Sequence, residues 1–374
     1  MQAFINFLKP KIFYPMKTKI FTAIFLLMGI SLFAQNVNNI QMPEILNKNS
    51  RKTINIPDIL GYQTLKCDFH MHTVFSDGSV WPTVRVDEAY NEGLDVIAIT
   101  DHIERNPSKK DVAGDDNSSY EIALPRAKQK NIILVKAGEI TRSMAPGHFN
   151  ALFLNDTQAL DVENWRDAFA EAKKQGAYFI WNHPGWKAQQ PDTCLWWDEH
   201  TELFENGMLH AIEVFNEKEW YPIALDWCMN KNIAPHAASD IHGINSEMYN
   251  LKAYHRPMTL VLAKERSQES IREALFANRT VAYFGNILAG KEEYLKAIFE
   301  ASVKIEFYRE YEKGKTYIIV NKSDVPFILS SEEDLFTIPA NGETMVNIPH
   351  HFNNWVEVKN LHVKGTKNLK LKLE

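Results

Sequence analysis

From Leu65 onward, short β-rich apolar runs alternate with stretches whose apolar positions recur at helical spacing. The runs are Leu65 to His70, Asp95 to Thr100, Ile132 to Ala137, Phe149 to Leu154, Tyr178 to Trp181, Ala211 to Phe215, Ala234 to Ala238, Met258 to Leu262 and Thr280 to Phe284. Pro82 to Glu92 reads as a helix, with proline at its start and Gly93 just past its end, where a missing N–H and a left-handed backbone are tolerated best. Val162 to Gln175, followed by Gly176, and Gln268 to Asn278, behind an N-cap Ser267, are predicted helices too. Strands this apolar need cover on both faces, so the alternation predicts a parallel barrel or a doubly wound sheet.

The pattern changes at both ends. After about residue 290, runs such as Lys304 to Phe307 and Tyr317 to Val320 are separated by Lys313 with Gly314 and Asn341 with Gly342, without helical periodicity. This predicts a small antiparallel β-sandwich over 290–374, in contact with the barrel or with another subunit. Near the start, the longest apolar run, Ile20 to Phe33, follows Lys17 and Lys19 and ends at Ala34 before Gln35. A charged start, an apolar core too short to span a bilayer and a small residue at its end are the layout of a secretory signal peptide over 1–34. Met16, directly before Lys17, is an alternative start. The polar, Asn-rich segment that follows is read as a linker over 35–60, leaving 61–289 for the barrel. The expected product is exported, periplasmic or secreted, with no stable membrane anchor.

Composition narrows the partners. With 374 residues, 45% of them hydrophobic, the chain is long enough for a barrel plus a smaller unit. Its formal net charge of −6 becomes more negative once the acid-free, lysine-bearing leader is removed. No long Lys/Arg run is present, which argues against a protein that lives on long nucleic acid. The three cysteines, Cys67, Cys194 and Cys228, are too few for a disulfide scaffold and are read as buried free thiols.

The chemistry sits at the ends of the predicted strands. His70 and His72 are two apart at the end of the first strand, so their imidazoles share a face. The arrangement repeats: Asp101 and His102 end the second strand, Glu139 the third, His183 the fifth, and Asp240 and His242 the strand after Ala234. In a parallel barrel those ends form one face, where active sites are built. Neutral imidazoles with a few carboxylates suit zinc, manganese or iron, whereas calcium takes oxygen donors throughout. Two or three such divalent ions, only partly neutralised by the carboxylates, make the site locally positive and suited to an anionic ester.

The ordered series resembles the PHP (polymerase and histidinol phosphatase) superfamily over about residues 65 to 285. It comprises His70, X, His72, Thr73; Ser76, Asp77, Gly78; Thr100, Asp101, His102; Gly138, Glu139; His148 with Asn150, Ala151, Leu152; Asn182, His183, Pro184; and Ser239, Asp240, X, His242. The resemblance implies a distorted (β/α)7 barrel. It also implies that His70, His72, Asp77, His102, Glu139, His148, His183, Asp240 and His242 ligate two or three metal ions. Asp77 and His148 enter only through it: Ser76, Asp77, Gly78 alone reads as a turn, and His148 precedes a strand rather than ending one. Export and a C-terminal β-domain look like the Sb-PDE phosphodiesterases within the family.

These readings give a metal-dependent phosphoesterase acting on a small phosphate ester, a diesterase ahead of a monoesterase, through water activated by paired ions. Glu139 is placed as the bridge between ions, and with Asp240 and His242 at the chemistry. Arg142 and Lys187, a few residues beyond Glu139 and His183, are candidates for holding phosphate oxygens. His236 shares strand parity with Asp240 but is read as a core histidine. An amidohydrolase also opens on His, X, His, yet it uses a modified lysine and a lone aspartate where this chain has Glu139 and the Asp240, X, His242 pair. An inactive exported binding protein is the non-enzymatic alternative.

Overall fold

The computed structural model describes Met42 and residues 50–191, 193–331 and 334–373. The expected signal peptide lies outside the described residues. Ser50–Glu374 forms one compact unit. Its first part contains β1 (Gln63–Asp68), α1 (Pro82–Glu92), β2 (Val96–Ile99), α2 (Ser118–Lys130), β3 (Ile133–Ile140), β4 (Phe149–Leu152), α3 (Trp165–Lys174) and β5 (Tyr178–Trp181). It continues through α4 (Asp198–Glu205), β6 (Ala211–Asn216), β7 (Glu219–Trp220), α5 (Pro222–Lys231), β8 (Ala234–Ala238), α6 (Asn245–Met248), β9 (Met258–Ala263), α7 (Gln268–Phe276), β10 (Thr280–Phe284) and β11 (Ile287–Gly290). The end signals act as read: Gly93 adopts φ 90° and its N–H closes α1 on Ala89 and Tyr90, while the Ser267 side chain accepts from the N–H of Ser270.

The sheet is mixed rather than all-parallel. β1, β2 and β3 run parallel, as do β5, β6 and β8. Between these sets β4 is antiparallel to both β3 and β5. The stretch from Thr141 to His148 is shorter than the dozen or so residues a parallel crossover needs, so the chain turns straight back. β9 is likewise antiparallel to β1, and β10 to β9. Beyond their ladders, the ends of β1 and β8 meet: Met71 and Ile241 form a parallel bridge, the N–H of His72 donates to Ile241 (3.0 Å), and that of Asp240 donates to His70 (2.9 Å).

The segment read as linker up to residue 60 is packed from Arg51 onward. Ile56 and Ile59 are buried, and Arg51 pairs with Asp95 at 2.9 Å. Two apolar residues spaced along a polar stretch anchor it without giving it a periodic signal. After β11 comes a helix, α8 (Glu292–Ser302), where no helical pattern was expected. Its buried Tyr294, Leu295, Ile298 and Phe299 do follow helical spacing. It lacks a side-chain N-cap, and the turn-rich strands directly after it mask the signal.

The remaining strands are β12 (Val303–Tyr311), β13 (Gly314–Asn321), β14 (Phe327–Ser331), β15 (Asp334–Ile338), β16 (Glu343–Pro349), β17 (Trp355–Lys364) and β18 (Lys367–Lys372). β12, β13 and β16 form one antiparallel sheet. β14, β15, β17 and β18 form the other, and β17 runs parallel to β11, so this layer continues the first part's sheet. Phe299, Ile319, Phe327, Val346 and Val358 belong to one buried cluster with residues of the first part, including Leu260 and Val281. Among the cysteines, Cys67 and Cys228 are buried, but Cys194, on an irregular stretch before α4, is partly exposed.

Candidate metal centre

The strand ends deliver their side chains to one place. His70 and His72 follow β1, His102 follows β2, Glu139 sits near the end of β3, His183 follows β5, and Asp240 and His242 follow β8. His148 joins them from the opposite end of its strand: because β4 is antiparallel, its start lies where its neighbours finish, opposite Ile140 and Glu139. Asp77 arrives on the loop after His72. A Cβ on Gly78 would lie 2.6 Å from the backbone of His72 and Thr73, so only glycine lets this loop fold back so closely. Asp101 is buried under the loop and fixes it, accepting from Thr73 N (2.6 Å), Thr73 Oγ1 (2.7 Å) and Ser76 Oγ (2.7 Å).

The atoms converge closely. His70 Nε2 and His72 Nε2 are 3.1 Å apart, and Asp240 Oδ1 lies 3.1 Å and 3.0 Å from them. Glu139 Oε2 lies 3.7 Å from His70 Nε2, 3.6 Å from His72 Nε2 and 2.6 Å from His102 Nδ1. Its other oxygen is 3.0 Å from His148 Nδ1 and 3.9 Å from His183 Nε2. Asp77 Oδ1 stands 3.4 Å from His102 Nε2 and 3.1 Å from His242 Nε2. Among the described residues, three groups could each hold an ion: His70, His72 and Glu139; His102, Glu139 and His148; and His72, Asp77, His102 and His242. His183 and Asp240 lie at the edges of these groups, 3.9 Å apart.

The far side of several rings is occupied. His70 Nδ1 meets Glu213 Oε1 at 2.8 Å, His242 Nδ1 meets the Asp240 carbonyl at 2.8 Å, and His72 Nδ1 meets Ser76 Oγ at 3.3 Å. Such partners fix tautomers and leave the inward nitrogen free as a ligand. Inside, Asp77 Oδ1, Glu139 Oε2, Asp240 Oδ1 and His148 Nδ1 are buried with no hydrogen-bond partner. An orphaned buried polar atom costs about 1–3 kcal/mol. Four of them gathered in one centre fit a cation, and the mixed nitrogen and oxygen donors fit a transition metal.

Electrostatics point the same way. Burial lowers His72 and His183 each to about 3, overriding the neighbouring carboxylates, so both are neutral and ligand-ready. Burial also pulls on His102, but Glu139 and Asp77 outweigh it and raise that imidazole to about 10. Burial opposes ionisation of Glu139, yet His102, His148 and His70 hold it well below the usual carboxylate range. The raised His102 and the depressed Glu139 thus balance each other's charge.

A cavity of about 360 Å³ opens above the centre, lined also by Arg105, Trp186, Glu217 and Met248. Arg142 and Lys187, expected at phosphate oxygens, do not line it. The Arg142 guanidinium lies 2.8 Å from Glu104 Oε1 and donates to the Val162 (2.6 Å) and Glu163 (3.1 Å) carbonyls, while Lys187 is exposed. Arg105, three residues past His102, is the cation that lines the cavity, 3.4 Å from Asp77 Oδ2. In sequence it stands as close to His102 as Arg142 does to Glu139, so spacing alone does not single it out. Of the tryptophans near His183, Trp186 faces the cavity against His148 and His183, whereas Trp181 is fully buried against Trp227 and His200. His236 is a core residue between Phe69 and Tyr178, lowered to about 3 by burial. Glu213 was also missed, although an acid inside an otherwise apolar strand is itself a signal.

Imidazoles and carboxylates that meet beneath an open cavity, with three inward carboxylate oxygens among them unpaired, define a centre of the metallohydrolase kind. A crystal structure from Bacteroides vulgatus, of a two-domain protein containing a predicted PHP-like metal-dependent phosphoesterase, is 47% identical with a TM-score of 0.83, covering 86% of this chain and 98% of that one. The chain belongs to the PHP-like metal-dependent phosphoesterases. A putative metal-dependent phosphoesterase from Bifidobacterium adolescentis is 17% identical, with a TM-score of 0.37 over 47% of this chain and 87% of its own. No family model and no curated protein matches the sequence.

Proposed function

We propose that the protein is an exported phosphodiesterase of the Sb-PDE kind, with His70, His72, Asp77, His102, Glu139, His148, His183, Asp240 and His242 as ligands of two or three manganese, zinc or iron ions. The observation that carries this is the set of buried, unpaired carboxylate oxygens facing imidazole nitrogens in a family of phosphoesterases. We read the frame as a distorted (β/α)7 barrel followed by a β-sandwich domain; the Met71–Ile241 bridge between the ends of β1 and β8 supports closure. Export rests on the apolar run from Ile20 to Phe33 and its lysines.

Bound divalent ions supply Lewis acidity and lower the pKa of a coordinated water toward neutrality. The chain's own residues do the rest. Glu139 belongs to two of the three ligand groups, so it links neighbouring positions. Arg105 is exposed at the cavity, 3.4 Å from Asp77 Oδ2, and is placed to hold a phosphoryl oxygen. Trp186 offers an apolar wall to the same cavity, beside His148 and His183. One cation and one aromatic wall favour a diester, which carries one negative charge and a second organic group, over a monoester with up to two charges. With equal manganese loading, kcat/KM for bis(p-nitrophenyl) phosphate is expected to exceed that for p-nitrophenyl phosphate. A ratio well below one rejects the diesterase reading and leaves a monoesterase.

A further inference from the structure

Glu213 is fully buried on β6, in a strand that is otherwise almost entirely apolar, and it belongs to none of the ligand groups. Its carboxylate is nonetheless shared among the elements that carry them. Oε1 lies 2.8 Å from His70 Nδ1, the placement in which a ring N–H donates to a carboxylate; a ring held that way presents Nε2, the nitrogen that faces His72 and Asp240, as its ligand atom. Oε2 accepts from the backbone N–H of His183 at 2.9 Å and from Asn216 Nδ2 at 2.8 Å. Asn216 Nδ2 also lies 3.3 Å from Asp240 Oδ2.

The residues so held are strained. His183 has φ 28° and Asp240 φ 49°, both left-handed conformations that non-glycine residues adopt at a cost and keep only where surrounding contacts impose them. One carboxylate and one amide therefore reach three strand ends, after β1, β5 and β8. From these observations we propose that Glu213 and Asn216 are positioning residues: they set the tautomer of His70 and the placement of His183 and Asp240, and thereby build the ion position around His70. The proposal rests on the metal-centre reading above.

The chemistry of a glutamine replacement makes it testable. If the amide oxygen of Glu213→Gln faces His183 and Asn216, its NH2 meets His70 Nδ1, which must then give up its proton and place it on Nε2. If the oxygen faces His70, the NH2 meets two donors. Either way, a site that accepts three hydrogen bonds loses at least one, and the first arrangement blocks the ligand nitrogen. The group of Asp77, His102 and His242 has no contact with Glu213 and is expected to keep its ion.

The experiment is zinc titration of the metal-free full chain by calorimetry, with elemental analysis after gel filtration. The expected result for Glu213→Gln is one ion fewer retained per chain, or one ion bound at least about 10-fold more weakly, as loss of an outer partner typically gives. Nitrogen-15 correlation spectra are expected to show the His70 proton moved from Nδ1 to Nε2, or the ring mobile. Asn216→Ala keeps the bonds to His70 and His183 and is expected to weaken the same ion less; it decides the matter if Glu213→Gln does not fold. A wild-type chain that takes up no zinc removes the metal-centre reading itself. A wild type that binds zinc beside variants with the same stoichiometry and affinity overturns this inference alone, even if their melting temperatures fall.

Discussion

The two ends of the ligand set differ in how they are held. The inner group, His70, His72 and Glu139, is fully buried, with Glu213 and Ser76 behind the rings and Asn182 Nδ2 donating to Glu139 at 2.9 Å. The outer group is open to the cavity at Asp77 and at His242, whose side chain is 40% exposed. Asp77 lies between His102 and His242, and these two imidazoles, outweighing its burial, keep its carboxyl well below the usual range. The inner group is thus buried with support from behind, whereas Asp77 and His242 pair by charge beside the cavity.

The sharpest way to break this comparison is to delete one histidine from each group. His70→Ala is expected to reduce kcat below detection, a larger loss than the roughly 10–100-fold that follows loss of an outer partner. His242→Ala is expected to retain measurable turnover at high manganese. Steady-state assays with near-ultraviolet circular dichroism as a folding control test both; equal losses would erase the distinction. Next in size is the rim. Arg105→Ala should raise KM for bis(p-nitrophenyl) phosphate about 10-fold, the low end of the about 1.5–3 kcal/mol that a hydrogen bond to a charged group contributes, because the guanidinium is exposed. Arg142→Ala should leave KM unchanged, because that guanidinium is spent on Glu104 and two carbonyls.

The smallest expected effect is on pH dependence. His102 rises from an ordinary value of 6.5 to about 10 in the metal-free fold. A raised pKa stabilises the fold fully below 6.5, and that contribution is lost as pH climbs through about 10. The metal-free protein should therefore melt a few degrees lower at pH 9.5 than at pH 7 by calorimetry. Metal uptake must displace that proton, so calorimetric binding in buffers of different ionisation enthalpy should register proton release at pH 8. No release would mean that His102 is not a ligand.

How much of this was legible in the sequence depends on the kind of signal. Strand ends bearing His, X, His or Asp, X, His announce themselves because strand periodicity fixes which face a side chain takes. Strand direction does not: His148 looked misplaced until β4 proved antiparallel, although the short stretch before Phe149 already disfavoured a crossover. Arg142 and Arg105 lie equally close in sequence to a ligand, and only the local partner, Glu104 with the Val162 carbonyl, decides which one turns away. α8 was hidden by the turn-rich strands beside it, and Glu213 by the expectation that a strand interior is silent.

The central claim is that these side chains bind ions that make the protein a phosphoesterase. The most direct measurement is hydrolysis of bis(p-nitrophenyl) phosphate by one preparation of the full chain, first after exhaustive chelation and then after manganese is restored. No turnover above the buffer rate is expected in the first state and full recovery in the second, with two to three manganese ions retained per chain. Equal turnover in both states, or none after reloading with ions bound, would contradict it.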